Sequence, residues 1–390
     1  MPKHENSLGD DDRPRFFLVK NGAAHLTAPA AKKDQVVRLA ARSLSVMQKE
    51  ALVVSSKDNR VWRLVSDEGS YLDGCDEAPC PLSFLTTGMV SSYMNELLAL
   101  ADQRDMEIMD ICIVQDNYYT MHGSALKGTM VGGARDIGLD VQIDTKASKD
   151  TVQDLIYDAV SASPLNGLMQ GEKESLFTLT HNGKAVDNIR ALPLGAAHEQ
   201  DPSGIMDNVK PDGEWDGLIR RAGMSPKTDE ITSSQGSSYS EHQDRTLHVR
   251  GICKLRDDGV KQIEQQLFNP HGSVFHFLCD EEGRAPNAES YMATGIGFCF
   301  MTQLGRYAKI AKKDLHAYNI VQDIHFSWGG ASGGTGKAGS AEPVETHVFL
   351  ESDSDDRFAQ TALDMGEQTC FLHAFCRTDL KAKVRVTQIN

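Results

Sequence analysis

The sequence predicts an α+β fold written twice, with long central helices packed against antiparallel sheets and the two copies joined as a pseudo-dimer within one chain. Three observations carry this expectation. The tetrapeptide Ile-Val-Gln-Asp occurs twice, at Ile113–Asp116 and Ile320–Asp323, 207 residues apart. In that register, 12 of the 39 positions from Ala78 to Asp116 are identical to those from Ala285 to Asp323, where chance gives roughly 2–3 at ordinary residue frequencies. Each half also runs from alternating, turn-punctuated segments into one long segment that is apolar nearly all round.

Composition excludes several function classes. The 390 residues carry 40 Lys+Arg against 55 Asp+Glu, a net charge of −15. That disfavours nucleic acid and anionic membranes, which need a basic face. The apolar runs are too short to span a bilayer. The opening residues lack the apolar core of a signal peptide. A cytoplasmic location and reduced thiols are therefore expected for the eight cysteines, rather than a disulfide framework.

Residues 1–14 are expected to be disordered, and residues 15–184 form the first repeat. Within it, HLTAPAA and ALVVSSKDNRVWRLVSDE read as strands and hairpins. A buried helix follows over about Pro81–Arg104, then a strand with the Ile-Val-Gln-Asp sequence and a hairpin. A second helix runs over about Lys149–Met169, capped by Ser148, and SLFTLTHN closes the repeat as a strand. Residues 185–244 read as a linker, with a flexible polar tract, TSSQGSSYSEHQD, and a short helix in GEWDGLIRRAGM. The second repeat, residues 245–390, has its helices at about Ala288–Lys312 and Asp356–Phe375, the latter capped by Asp355, and its last strand in KAKVRVTQI. One shift interrupts the register. Arg60–Glu68 resembles Ser273–Glu281 at an offset of 213, so the first repeat has six extra residues just before its Ala-Pro.

The chemistry is unevenly shared. Cys299 lies mid-helix in the second repeat and Cys370 follows 71 residues later. The first repeat has Ser92 and Ser163 at the same places and the same spacing. Glu289 stands ten residues before Cys299, and its counterpart is Leu82. Titratable groups present together in one copy and absent together from the other describe one live and one silent site. Cys75, Cys80, Cys112, Cys253 and Cys279 read as structural. His373, between Cys370 and Cys376, reads as a core histidine rather than a metal ligand, so neither metal nor cofactor is expected. The stretch Gly329–Ala341 is glycine-rich but lacks the first Gly and the last Ser/Thr of a phosphate loop; it reads as a hairpin loop.

In these residues the chain resembles the OsmC/Ohr family of thiol-dependent peroxide reductases. Asn287-Ala288-Glu289-Ser290-Tyr291 resembles the family's Asn-Pro-Glu segment, with Cys299 at the family's spacing. Cys370-Phe371-Leu372 resembles its Cys-Pro motif with Phe371 in place of proline, whereas Ser163-Pro164-Leu165 keeps the proline without the thiol. Family members are intertwined homodimers with sites at the interface, so the resemblance implies that one tandem chain supplies both subunits. It further implies a peroxidatic Cys299, a resolving Cys370, and an arginine held by Glu289. Arg256 is the candidate, with Arg250 and Arg284 as rivals. An apolar organic hydroperoxide would be the substrate and a dithiol such as a dihydrolipoyl group the reductant.

Two other readings remain open at this level. A nucleophilic cysteine on this scaffold, with His373 as base, could open an activated carbonyl compound as a hydrolase or lyase. A small-molecule binding protein could use the apolar cleft without chemistry. The sequence leaves open whether two such chains associate.

Overall fold

The computed structural model describes residues 6–215, 217–227 and 242–389. The first half contains β1 (Phe17–Leu18), β2 (Gln35–Ser43), β3 (Lys49–Ser55), β4 (Val61–Ser66), α1 (Pro81–Gln103), β5 (Asp110–Ser124), β6 (Val131–Ala134), β7 (Ile137–Asp144), α2 (Lys149–Ala162), α3 (Leu165–Met169) and β8 (Leu176–His181). Three short strands follow: β9 (Lys184–Val186), β10 (Leu192–Pro193) and β11 (Ile219–Met224). The second half contains β12 (His242–Leu255), β13 (Lys261–Asn269), β14 (Ser273–Cys279), α4 (Ala288–Ile310), β15 (Ala317–Phe326), β16 (Glu345–Glu351), α5 (Asp356–Thr369), α6 (Phe371–Cys376) and β17 (Ala382–Gln388). Helices α1 and α4 begin 207 residues apart and have equal length, as do α2 and α5.

The halves interlock. One sheet has the order β1-β4-β3-β2-β15-β16-β8-β10, with β9 on β8; the other has β11-β14-β13-β12-β5-β7-β17, with β6 on β5. Each sheet therefore joins the first and last strands of one half to the middle strands of the other. The sheets are not purely antiparallel, because β8 runs parallel to β16 and β17 parallel to β7. At the seams, Arg38 pairs with Asp323 and Arg250 with Asp116, the same ion pair in each sheet.

The apolar run of α4 predicts burial, and the helix is buried from Ala288 to Arg306. It crosses α1 where Gly88 faces Ala288 and Met292, and Gly295 faces Leu85. A Cβ on Gly88 would lie 2.4 Å from the Ala288 carbonyl oxygen, and one on Gly295 2.6 Å from the Leu85 nitrogen. The helices thus touch backbone to backbone.

The predicted caps are present: Ser148 accepts from the Thr151 N–H and Asp355 from that of Phe358, and Asn287 caps α4 in the same way by accepting from Ser290. Both second helices, expected to be continuous, break instead. In the first half Ser163 is extended and Pro164 follows, whose ring cannot continue the preceding turn. In the second half the break falls on Cys370, at φ −70° and ψ 119°.

Three expectations need correction. Residues 6–14 are anchored rather than disordered: Leu8 is buried, and Asp11 pairs with the buried Arg63; residues 1–5 lie outside the described residues. The segment after β8 is not a plain linker. Met206 and Val209 join Phe17, Leu52 and Val61 in a small core on the outer sheet face, and Glu199 pairs with Arg38. The helix expected in GEWDGLIRRAGM is instead β11, added to the edge of β14. The polar tract falls largely on 228–241, outside the described residues.

Candidate active site at the crossing of the two halves

Because α1 and α4 cross antiparallel, the start of each lies beside the middle of the other. Leu82 and Cys80, at the start of α1, line the same pocket as Cys299. Cys80 therefore belongs to the site wall and is not merely structural. Its thiol is pushed up to about 11, chiefly by burial.

Cys299 and Cys370 are both free and buried, and they lie near enough for each to shift the ionisation of the other. The break at Cys370 makes it the N-cap of α6, where its Sγ accepts the His373 N–H at 3.4 Å. Burial pushes the Cys299 thiol well up, and the nearby Cys370 adds to this. Burial also acts to raise Cys370. The neighbouring Cys299 thiol, the nearby His373 ring and the His373 N–H outweigh it and hold Cys370 well below an ordinary thiol. Of the two, Cys299 is thus pushed toward the thiol and Cys370 toward the thiolate. The His373 ring lies against Phe177 and Phe300, and neither ring nitrogen makes a hydrogen bond. It is buried without being a satisfied core histidine.

Cys299 opens on a cavity of about 30 Å³, room for about one water molecule. Its walls come from both halves. Leu72, Leu82, Leu247, Leu267 and Phe371 make it apolar, while Glu68, Tyr71, Arg245, Thr302 and Gln303 supply polar groups. Behind the wall, the buried Lys49 Nζ donates to Thr302 Oγ1 at 2.7 Å, and Thr302 Oγ1 donates to Glu68 Oε1 at 3.1 Å. The Tyr71 hydroxyl donates to Glu68 Oε2 at 2.7 Å. Burial raises the Glu68 carboxyl, and Lys49 works against it; burial lowers the Lys49 ammonium, and Glu68 works against it.

The remaining candidate residues do not meet at this pocket. Glu289 sits at the start of α4, beside the other site, where its electrostatic neighbours are Glu281, Lys57 and Glu96. Its Oε2 has no hydrogen-bond partner among the described residues. Burial and the charge on Glu281 push its carboxyl up to about 7. Arg256 is an exposed turn residue paired with Asp258, Arg250 is held by Asp116, and Arg284 by Asp280. The arginine that reaches the thiol pocket is Arg245, on β12, where Tyr71 and Glu68 are its electrostatic neighbours.

The equivalent site of the other repeat copies the geometry without the thiols. Ser92 Oγ and Ser163 Oγ are hydrogen-bonded at 2.7 Å. Asn95 donates to Glu281 there as Thr302 donates to Glu68 at the live site. The glycine-rich loop packs onto it. The N–H groups of Ala331 and Ser332 donate to Glu96, and Gly330 donates to the Ala162 carbonyl. A Cβ on Gly339 would lie 1.7 Å from the Ser163 carbonyl oxygen. These glycines permit close approach of loop to helix and form no phosphate cradle.

Comparison with known proteins agrees with the resemblance over part of the chain. Residues 281–385 match the family model described as OsmC-like protein. This stretch holds α4, both cysteines and α6, so the second half carries an OsmC-like domain. Among solved structures, an OsmC-like hydroperoxide resistance protein from Jannaschia sp. CCS1 is similar at 22% identity, over 29% of this chain and 75% of that one, with a TM-score of 0.20. No curated protein matches the chain. Among the described residues no helix is long and apolar enough to cross a membrane.

Proposed function

We propose that the protein is a thiol peroxidase for organic hydroperoxides, with Cys299 as the attacking thiol and Cys370 as the resolving one. The observation that carries this reading is a pair of buried, mutually perturbing thiols, Cys299 and Cys370, of which Cys299 opens on a largely apolar pocket. The OsmC-like match over 281–385 supports it.

At rest the Cys299 thiol donates its proton to the Cys370 thiolate. When a hydroperoxide enters, that proton passes to Cys370 and the Cys299 thiolate attacks the distal peroxide oxygen. The O–O bond breaks, Cys299 becomes a sulfenic acid, and the alkoxide leaves with the bonding pair and takes up a proton. Cys370, losing its proton again, attacks the sulfenic sulfur and displaces hydroxide, which leaves as water. A dithiol then reduces the Cys299–Cys370 disulfide by exchange and is itself oxidised. Arg245 supplies the positive charge that favours the thiolate and the developing alkoxide. The cavity fits the peroxide head, and the surrounding leucines favour an apolar substituent over a charged one.

The hydrolase reading needs a base on the nucleophile. The base on Cys299 is a second thiolate, and the His373 ring is not hydrogen-bonded to it. The test is hydroperoxide consumption by the purified protein with a small dithiol. Turnover that disappears in Cys299→Ser supports the reading; intact thiols with no consumption of any alkyl or aryl hydroperoxide contradict it.

A further inference from the structure

The first half has nine residues between Glu68 and Ala78, and the second has three between Glu281 and Ala285. That insertion reaches the live site and has no counterpart at the silent one. It folds as a 3-10 turn, Ser70–Leu72, from which Tyr71 and Leu72 line the Cys299 pocket. The turn is pinned on several sides. The Asp67 carboxylate accepts the N–H groups of Cys75 and Glu77, each at 3.1 Å. Asp73 pairs with Lys309, and Asp76 accepts from Ser273 at 2.6 Å. Gly74 passes so close to Glu68 that a Cβ would lie 1.8 Å from its carbonyl oxygen. A hydroxyl is thus held at the mouth of the thiol pocket by a structure built only there.

We propose that Tyr71 is the general acid of the reaction, giving its proton to the alkoxide that leaves when Cys299 attacks a hydroperoxide. This rests on the peroxidase reading and specifies how its first step is completed. An alkoxide is a poor leaving group in an apolar pocket, and a positioned acid is the ordinary remedy. Tyr71 turns its O–H from Glu68 toward the pocket, the alkoxide leaves as the alcohol, and Tyr71 is left as a phenolate. The buried chain restores it. Glu68 is hydrogen-bonded to Tyr71 and to Thr302, and Thr302 to Lys49. A proton moves from the Lys49 ammonium through Thr302 and Glu68 to Tyr71, and between turnovers the half-buried Tyr71 takes a proton from water and returns it along the same chain to Lys49. The depressed basicity of the buried Lys49 favours the transfer.

The test compares leaving groups in one turnover. Cys299 oxidation is timed with tert-butyl hydroperoxide, whose alkoxide needs a proton, and with a peracid, whose carboxylate does not. For Tyr71→Phe the rate with the alkyl hydroperoxide should fall about 100-fold, while the rate with the peracid stays within about threefold, which also shows the variant folded. Equal losses on both oxidants, or none on the alkyl hydroperoxide, would overturn the assignment of Tyr71. If the unaltered protein reacts with neither oxidant, the peroxidase reading itself falls and the assignment with it.

Discussion

Glu289 and Cys299 share helix α4 at the spacing of the OsmC/Ohr family, yet they face different sites: Cys299 meets the start of α1, and Glu289 lies by Glu281 and Glu96. In an antiparallel helix pair, the acid carried by one copy serves the nucleophile of the other. The cysteine site is therefore left with Leu82, and the serine site keeps Glu289.

Glu289→Gln should accordingly leave hydroperoxide turnover unchanged. It should alter stability in a pH-dependent way. Burial, then Glu281, raises the folded-state value to about 7, above that of an unfolded glutamate near 4.3. The contribution of the protonated acid is complete below about pH 4 and is lost as pH rises through about 7. Urea midpoints should show the variant gaining on the parent between about pH 5 and pH 8, by on the order of a few kcal/mol. Parallel curves would count against the buried, unpartnered carboxyl.

The thiol pair sets a second pH dependence. Cys370 is held well below an ordinary thiol, so one thiolate per chain should persist, by absorbance near 240 nm, at a pH where free cysteine is protonated. The associated stability is present above the unfolded-thiol value and lost as pH falls through the lowered one. His373→Leu removes one support and should move the thiolate titration to higher pH. An unmoved titration would leave the helix N-cap and the Cys299 donor as its whole cause.

Arg245 and Arg256 separate the geometric reading from the family pattern. Arg245→Ala should slow Cys299 oxidation by about 10- to 100-fold, the scale of a lost charge-stabilising donor. Arg256→Ala should change it by less than twofold, since that guanidinium is engaged with Asp258 in an exposed turn. The reverse order would contradict the site as described.

The helix crossing leaves no room for a methyl group. Gly88→Ala and Gly295→Ala should each destabilise the protein by about 1–3 kcal/mol, the scale of core overpacking, seen as a lower urea midpoint. In both cases the added Cβ meets backbone, which cannot rotate away.

Much of this architecture was legible in the sequence, because hydrophobic period and capping residues are local. The ends of α1, the caps at Ser148 and Asp355, and the 71-residue spacing of both Ser92–Ser163 and Cys299–Cys370 were readable from spacing alone. What was not legible depends on which strand lies beside which helix. Arg245 lines the Cys299 pocket because β12 pairs with β5 of the other half, and Glu68 does so because β4 ends beside the start of α1. Nothing local marks either residue. Tyr71 did leave a trace, since the register shift from 213 to 207 marked its insertion, although not its destination. The break at Cys370 was hidden because Phe371, unlike Pro164, gives no helix-ending signal.

The most direct test of the central claim is peptide mapping by mass spectrometry after one equivalent of organic hydroperoxide. The account predicts one alcohol formed per chain, the loss of two hydrogens, and a single disulfide joining the Cys299 and Cys370 peptides, reversed by a dithiol. Both thiols remaining reduced, or oxidation falling on another cysteine while these two stay free, would contradict it.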